Sequence, residues 1–220
     1  RVGKDGDVSR RTFLKAVAAG AALWHDRVFE ESIDRTMREM EFLSERPDTR
    51  AVTGYRVTTD HGSVVAVTET TDPDDAAAQA AREASFLARD GVRNRLIRCQ
   101  PPDDRANCHG WVFTGGRYWV GGAEVERILA ENGYTTVTDP RPGDLAVYRQ
   151  NGMVAHTAVV RYVSPGMPVL VEGKWSASGV YLHAVRDSIY GIDFTYYRTA
   201  RQSHVLAGLD RPAPVVAGGQ

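Results

Sequence analysis

The chain has 220 residues, 27 Lys+Arg against 28 Asp+Glu, and 42% hydrophobic residues. That balance gives no electrostatic reason for a nucleic-acid partner, and the mixture is that of an ordinary globular protein rather than a disordered one. No apolar run reaches the ~18 residues of a membrane-spanning helix, and the two cysteines, without CxxC or HExxH spacing, offer neither a disulfide framework nor a zinc site.

Ser9-Arg10-Arg11-Thr12-Phe13-Leu14-Lys15 is followed by the Ala-rich stretch from Ala16 to Leu23. Paired arginines before a weakly apolar run resemble a bacterial twin-arginine export signal. Residues 1–25 are therefore read as a signal segment, and the resemblance implies export to the periplasm or cell envelope. An amphipathic helix capped by Ser9 is the alternative.

Residues 26–98 read as a helix followed by a small ββαβ module. Val28, Phe29, Ile33, Met37 and Met40 recur at three- and four-residue steps, and Pro47 and Asp48 end that helix. Val52-Tyr55-Val57 and Val64-Val65-Val67 predict two strands around the turn Asp60-His61-Gly62. Asp72-Pro73-Asp74-Asp75 predicts the start of a helix carrying Ala76 to Arg89, and a strand follows over Val92 to Arg98.

Pro101-Pro102-Asp103-Asp104 marks a break, after which glycines and aromatics become dense. A helix is expected from Ala123 to Asn132. Strands are expected at Leu145–Arg149, Met153–Val163, Val169–Val171, Val180–Ala184 and Phe194–Arg198. Asn151-Gly152 is the hairpin signal between the first two. Residues 99–201 thus form a second domain, and the Ala/Gly/Pro-rich residues 202–220 read as a flexible tail. The fold class is α+β.

The chemistry concentrates in the second domain. Cys108 opens a short apolar segment, Cys108-His109-Gly110-Trp111-Val112-Phe113; in the first turn of a helix its thiolate is favoured over its thiol. His156 lies in the core strand Met153–Val160, where a polar ring is costly without partners. Glu172, in the next strand, could accept the His156 N–H and fix its tautomer. Nucleophile, base and orienter are then Cys108, His156 and Glu172. His183 and His109 are rival or supporting groups, and Lys174 is a partner for Glu172. Trp111 and Trp175 are expected as cleft wall or core. Cys99 could instead pair with Cys108 in an oxidising compartment.

Four pieces occur in order: Asn107-Cys108-His109-Gly110, Arg141-Pro142-Gly143-Asp144-Leu145, His156-Thr157-Ala158-Val159-Val160 and Val171-Glu172. This order resembles the NlpC-type branch of the papain-like superfamily, which includes CHAP-type amidases. The resemblance implies a catalytic helix packed on an antiparallel sheet. It also implies a cysteine-dependent hydrolase or acyltransferase acting on amide or ester bonds, with cell-envelope peptides as candidate substrates and no cofactor or metal. His109 stands where that branch has Ser, and Glu172 where it more often has His, Asn or Gln. Two other functions compete. One is a non-catalytic ligand-binding module of the same fold; the other is a structural exported protein with a Cys99–Cys108 disulfide. Oligomeric state has no signal in the sequence. The catalytic reading expects the Cys108 sulfur within roughly 4 Å of a His156 ring nitrogen, and Glu172 beside His156 on the same side of the sheet.

Overall fold

A computed structural model describes residues 47–53, 56–89 and 92–209. The expected signal segment 1–25, the helix up to residue 46 and the end of the tail from residue 210 lie outside the described residues. Among the described residues no helix is long and apolar enough to cross a membrane.

The architecture is α+β with antiparallel sheets and few helices. Among the described residues ten strands occur in chain order: β1 (Thr49–Ala51), β2 (Val67–Thr70), β3 (Ile97–Gln100), β4 (Trp119–Val120), β5 (Thr135–Val137), β6 (Leu145–Gln150), β7 (Met153–Tyr162), β8 (Leu170–Lys174), β9 (Val180–Ala184) and β10 (Phe194–Arg198). The α-helices among the described residues are α1 (Ala76–Arg89), α2 (Cys108–Phe113) and α3 (Gly122–Glu131). A small sheet has the order β1-β2-β4, and a seven-stranded sheet has the order β3-β9-β8-β7-β6-β10-β5.

Local chemistry explains most of these elements. The Asp75 carboxylate accepts the Ala77 and Ala78 N–H groups, both at 2.8 Å, and so caps α1. Helix α3 buries Val125, Ile128 and Leu129, one stripe at three- and four-residue spacing. The β6–β7 hairpin turns at Asn151 and Gly152, which have φ of 52° and 78°. Asp144, just before β6, accepts the Arg141 N–H at 2.7 Å and a two-pronged contact from Arg198 of β10. That fork ties the Pro-Gly-Asp turn to the neighbouring strand.

The expected division at residues 98 and 99 is not a domain boundary. β3 joins the large sheet through β9, and β4, from beyond the break, joins β2 in the small one. The two sheets therefore exchange strands across it, and the described residues fall in one compact unit. The strand expected over Val92 to Arg98 is a 3-10 turn at Val92–Arg95 followed by β3. Val57 and Val65 are core residues, but the pairing around the Asp60 turn is a single bridge, Thr58 to Val64. The expected tail begins later than residue 202: Leu206 donates its N–H to the Phe113 carbonyl at 2.9 Å, and Leu206 and Leu209 are buried.

The large sheet has two unlike sides, fixed by its register. Leu145 pairs with Val159, Val147 with Thr157 and Tyr148 with His156. Alternation then sends Val147, Thr157 and Val159 to one side and Tyr148, His156 and Ala158 to the other. The first side carries the aliphatic core, where Val147 and Val159 meet Val112 and Phe113 of α2 and Val125 and Ile128 of α3. Each such fully buried side chain contributes about 1.5–3 kcal/mol. The second side is aromatic: Tyr148, His156, Tyr190 and Phe194 stack there, next to Trp175, Tyr181 and His183.

Candidate active site

Helix α2 begins at Cys108, as the sequence predicts, and is only six residues long. Asn107 is its cap. The Asn107 side-chain oxygen accepts the Gly110 N–H at 2.8 Å and the Val120 N–H at 3.2 Å, and its amide donates to the Val120 carbonyl at 2.8 Å. One side chain therefore both starts the helix and fastens it to β4. Gly110 is required by the same docking, because a Cβ there would lie 1.7 Å from the Tyr118 carbonyl oxygen.

The helix packs on β7 and β8. His109 and Thr157, both buried, meet at 3.2 Å between His109 Nδ1 and Thr157 Oγ1. The Cys108 thiol is buried, and burial pushes its pKa up to about 11. The backbone N–H groups of Thr157, His109 and Cys108 itself, and the charge of Lys174, act in the opposite direction and favour the thiolate.

Lys174, at the end of β8, is 3% exposed. The last paired position of β7 and β8 is Val159 with Glu172, so two residues on Lys174 comes level with Thr157 on the helix side of the sheet. Its ammonium donates to the Ser178 carbonyl at 2.5 Å. Burial lowers its pKa to about 8, against the carboxylates Asp103, Asp104 and Glu83 and the Cys108 thiol, which all favour the charged form. Lys174 and Trp111 help line a cleft of about 710 Å³, together with Asp103, Arg105 and Arg117. Trp111 thus lines this cleft.

Other expected partners are placed elsewhere. His156 is 0% exposed and stacks flat on Tyr190, ring centroids 4.0 Å apart. Neither of its ring nitrogens has a hydrogen-bond partner, so the expected contact with the Cys108 sulfur is not made. Burial holds its pKa well below the usual imidazole value, helped by His183 and His109. Gly173 leaves room for the ring: a Cβ there would lie 2.9 Å from His156 Nε2.

Glu172 is not beside His156. Its register with Val159 puts it three residues along and on the other side of the sheet, where it pairs with Arg161 at 2.6 Å rather than with Lys174. His183 is buried, with Nδ1 2.8 Å from the Ala184 carbonyl, and does not hydrogen-bond to His156. Trp175 is fully buried against Phe86, Tyr181 and His183 and is not a cleft wall. Cys99 is exposed and Cys108 buried, both as free thiols, which removes the disulfide alternative.

Sequence reasoning undervalued Lys174 and overlooked Thr157. The available signal was parity: Lys174 shares a side of its strand with Glu172, and Thr157 is the neighbour of His156 that faces the helix. Comparison with protein-family models, with curated proteins and with solved structures finds no match for this chain.

Proposed function

We propose that the protein is a cysteine-dependent hydrolase or acyltransferase acting on amide or ester bonds, with Cys108 as its nucleophile. The observation that carries this reading is the seat of Cys108, the first residue of a helix that Asn107 caps and that packs on β7 and β8, with the backbone N–H groups of Cys108, His109 and Thr157 acting against the burial of its thiol. Such donors oppose the burial that otherwise keeps the resting sulfur a thiol. During attack, donors placed near the sulfur also favour the negative charge that develops on the substrate oxygen. The thiolate adds to the carbonyl carbon, the amine or alcohol departs with a proton, and a thioester remains on Cys108. Water or an acceptor nucleophile then cleaves the thioester and restores the thiol.

A helix-borne cysteine resting on the antiparallel run β6-β7-β8 is also the arrangement that an NlpC-type papain-like fold would require. The Ser9-to-Leu23 pattern supports export, which would bring cell-envelope peptides within reach as substrates.

A non-catalytic binding module is the second reading, favoured by the burial of the Cys108 thiol and its missing imidazole contact. An activated ester separates the two. In a Cys99→Ser background, the parent protein should gain one acyl group on Cys108, detected by intact mass and peptide mapping, and Cys108→Ala should gain none. Absence of any acyl adduct on Cys108 in the folded protein would leave the binding module standing.

A further inference from the structure

We propose that the cleft beside α2 binds a small organic carboxylate, with the Lys174 ammonium as its counter-ion and the Trp111 indole as its wall. Such a site does not depend on Cys108 being a nucleophile. The cleft holds about 710 Å³, an ordinary volume for a small-ligand site. Lys174 is 3% exposed and yet lines it. A buried ammonium is rare and costly unless it is paired. Here the pairing is incomplete. The Ser178 carbonyl takes one of the three ammonium protons. Among the described residues no carboxylate forms an ion pair with it, because those nearby are taken by other partners.

Asp103 accepts the two-pronged Arg105 guanidinium. Asp104 accepts the Asp74 N–H at 2.9 Å. Glu83 pairs with Arg98 at 3.1 Å and also accepts the Tyr181 hydroxyl and the Gly179 N–H. These three carboxylates favour the charged lysine from a distance, and none neutralises it in contact. Of the residues that line the cleft, Asp103 is the only carboxylate, while Arg105 and Arg117 add two guanidinium groups. The lining therefore favours an anion over a cation. One buried ammonium matches one negative charge, and a dianion would leave charge buried without a partner.

The β8–β9 turn assembles the site. The Trp175 N–H donates to the Gly179 carbonyl at 3.1 Å and the Ser178 N–H to the Trp175 carbonyl at 2.8 Å. That tight turn brings the Ser178 carbonyl back to the ammonium. The Asp103 N–H donates to the Ala177 carbonyl at 3.2 Å, so the segment before α2 is fastened to the same turn. Trp111 comes from α2 itself. A Cβ at Gly116 would lie 4.0 Å from Trp111 Cδ1, so the glycine leaves that edge of the indole uncovered. An aromatic wall suits a flat apolar body, and the ammonium suits the carboxylate attached to it.

Ligand-observed NMR titrations of the full chain near pH 7 test the site with three probes: 3-phenylpropanoate, its neutral amide and phenyl phosphate. The carboxylate should bind about tenfold or more tightly than the amide. Lys174→Met should abolish that preference, and Trp111→Ala should weaken the carboxylate and the amide together. In the parent, the ring protons of bound 3-phenylpropanoate should show cross-peaks to the Trp111 indole. Equal binding of carboxylate and amide, or a preference that survives in Lys174→Met, overturns the role of Lys174. Cross-peaks only to other residues, or no saturable binding of the carboxylate, overturn the site. Tighter binding of phenyl phosphate than of the carboxylate overturns the choice of a single negative charge. If Lys174→Met does not fold, the preference and the cross-peaks in the parent decide.

Discussion

The two sides of the seven-stranded sheet treat buried polarity in opposite ways, and the difference is clearest at neighbouring residues of β7. Thr157 faces the helix side, where its hydroxyl meets His109 in the first turn of α2. His156 faces the aromatic side, where both ring nitrogens are without partners, as are His183 Nε2 and Trp175 Nε1. A buried polar group without a partner costs about 1–3 kcal/mol. The aromatic side therefore carries a cost that ring stacking must offset, at about 0.5–1.5 kcal/mol per contact. The helix side uses its polar groups for mutual support around a thiol. Burial alone does not mark a functional histidine; a buried group that engages others does.

Breaking the helix side should have the largest effect. Gly110→Ala would push a methyl group into the Tyr118 carbonyl, and moving backbone away costs about 3 kcal/mol or more. Urea unfolding should show that loss, and Cys108 should become freely alkylated as α2 lifts. A stability close to the parent would mean that α2 is not seated as described.

The aromatic side should fail in acid. The His156 and His183 pKa values are depressed when folded, while unfolded imidazoles titrate near 6.5. Below that pH the unfolded chain binds more protons, so stability falls as pH falls, until the folded-state values are reached. The slope approaches about 1.4 kcal/mol per pH unit for each such histidine. His156→Phe should reduce this slope and leave stability at pH 7.5 equal or higher, because two desolvated nitrogens disappear. Unfolding free energies measured from pH 7.5 down to 5 would check it; an unchanged slope in the variant would contradict the burial of a neutral ring.

Smaller effects sharpen the contrast. Asn107→Ala removes the cap of α2 and its clamp on β4, at about 1–2 kcal/mol. Thr157→Val keeps the shape but leaves His109 Nδ1 without its hydroxyl partner, at about 1 kcal/mol. Thr157→Val should therefore destabilise at pH 7.5, where His156→Phe does not. If the two neighbours respond alike, the sides of the sheet are not chemically distinct.

Much of this fold is legible in the sequence because its signals are local. The Asp75 cap, the Asn151-Gly152 turn and the start of α2 at Cys108 each depend on a few consecutive residues. Val180–Ala184 and Phe194–Arg198 are also found with the expected limits. The short strands β4 and β5 have too few residues to show alternation. The site was harder to read because its partners are chosen by register. Glu172 and Lys174 look equivalent along β8; only the pairing of Val159 with Glu172 shows which comes level with Thr157. A shift between Tyr148 and Arg149 further breaks the simple count along β7.

The hydrogen bond from Leu206 to the Phe113 carbonyl has a consequence for synthesis. The helix bearing Cys108 is made well before Leu206, the residue that completes its far end. The large sheet has the same dependence, since its edge strand β3 waits for β9. Contacts so distant along the chain form late and slowly. A nascent chain therefore carries its thiol unsheltered until residues 202–209 have been added, and a ribosome-bound or truncated product lacking them would be the form most open to oxidation.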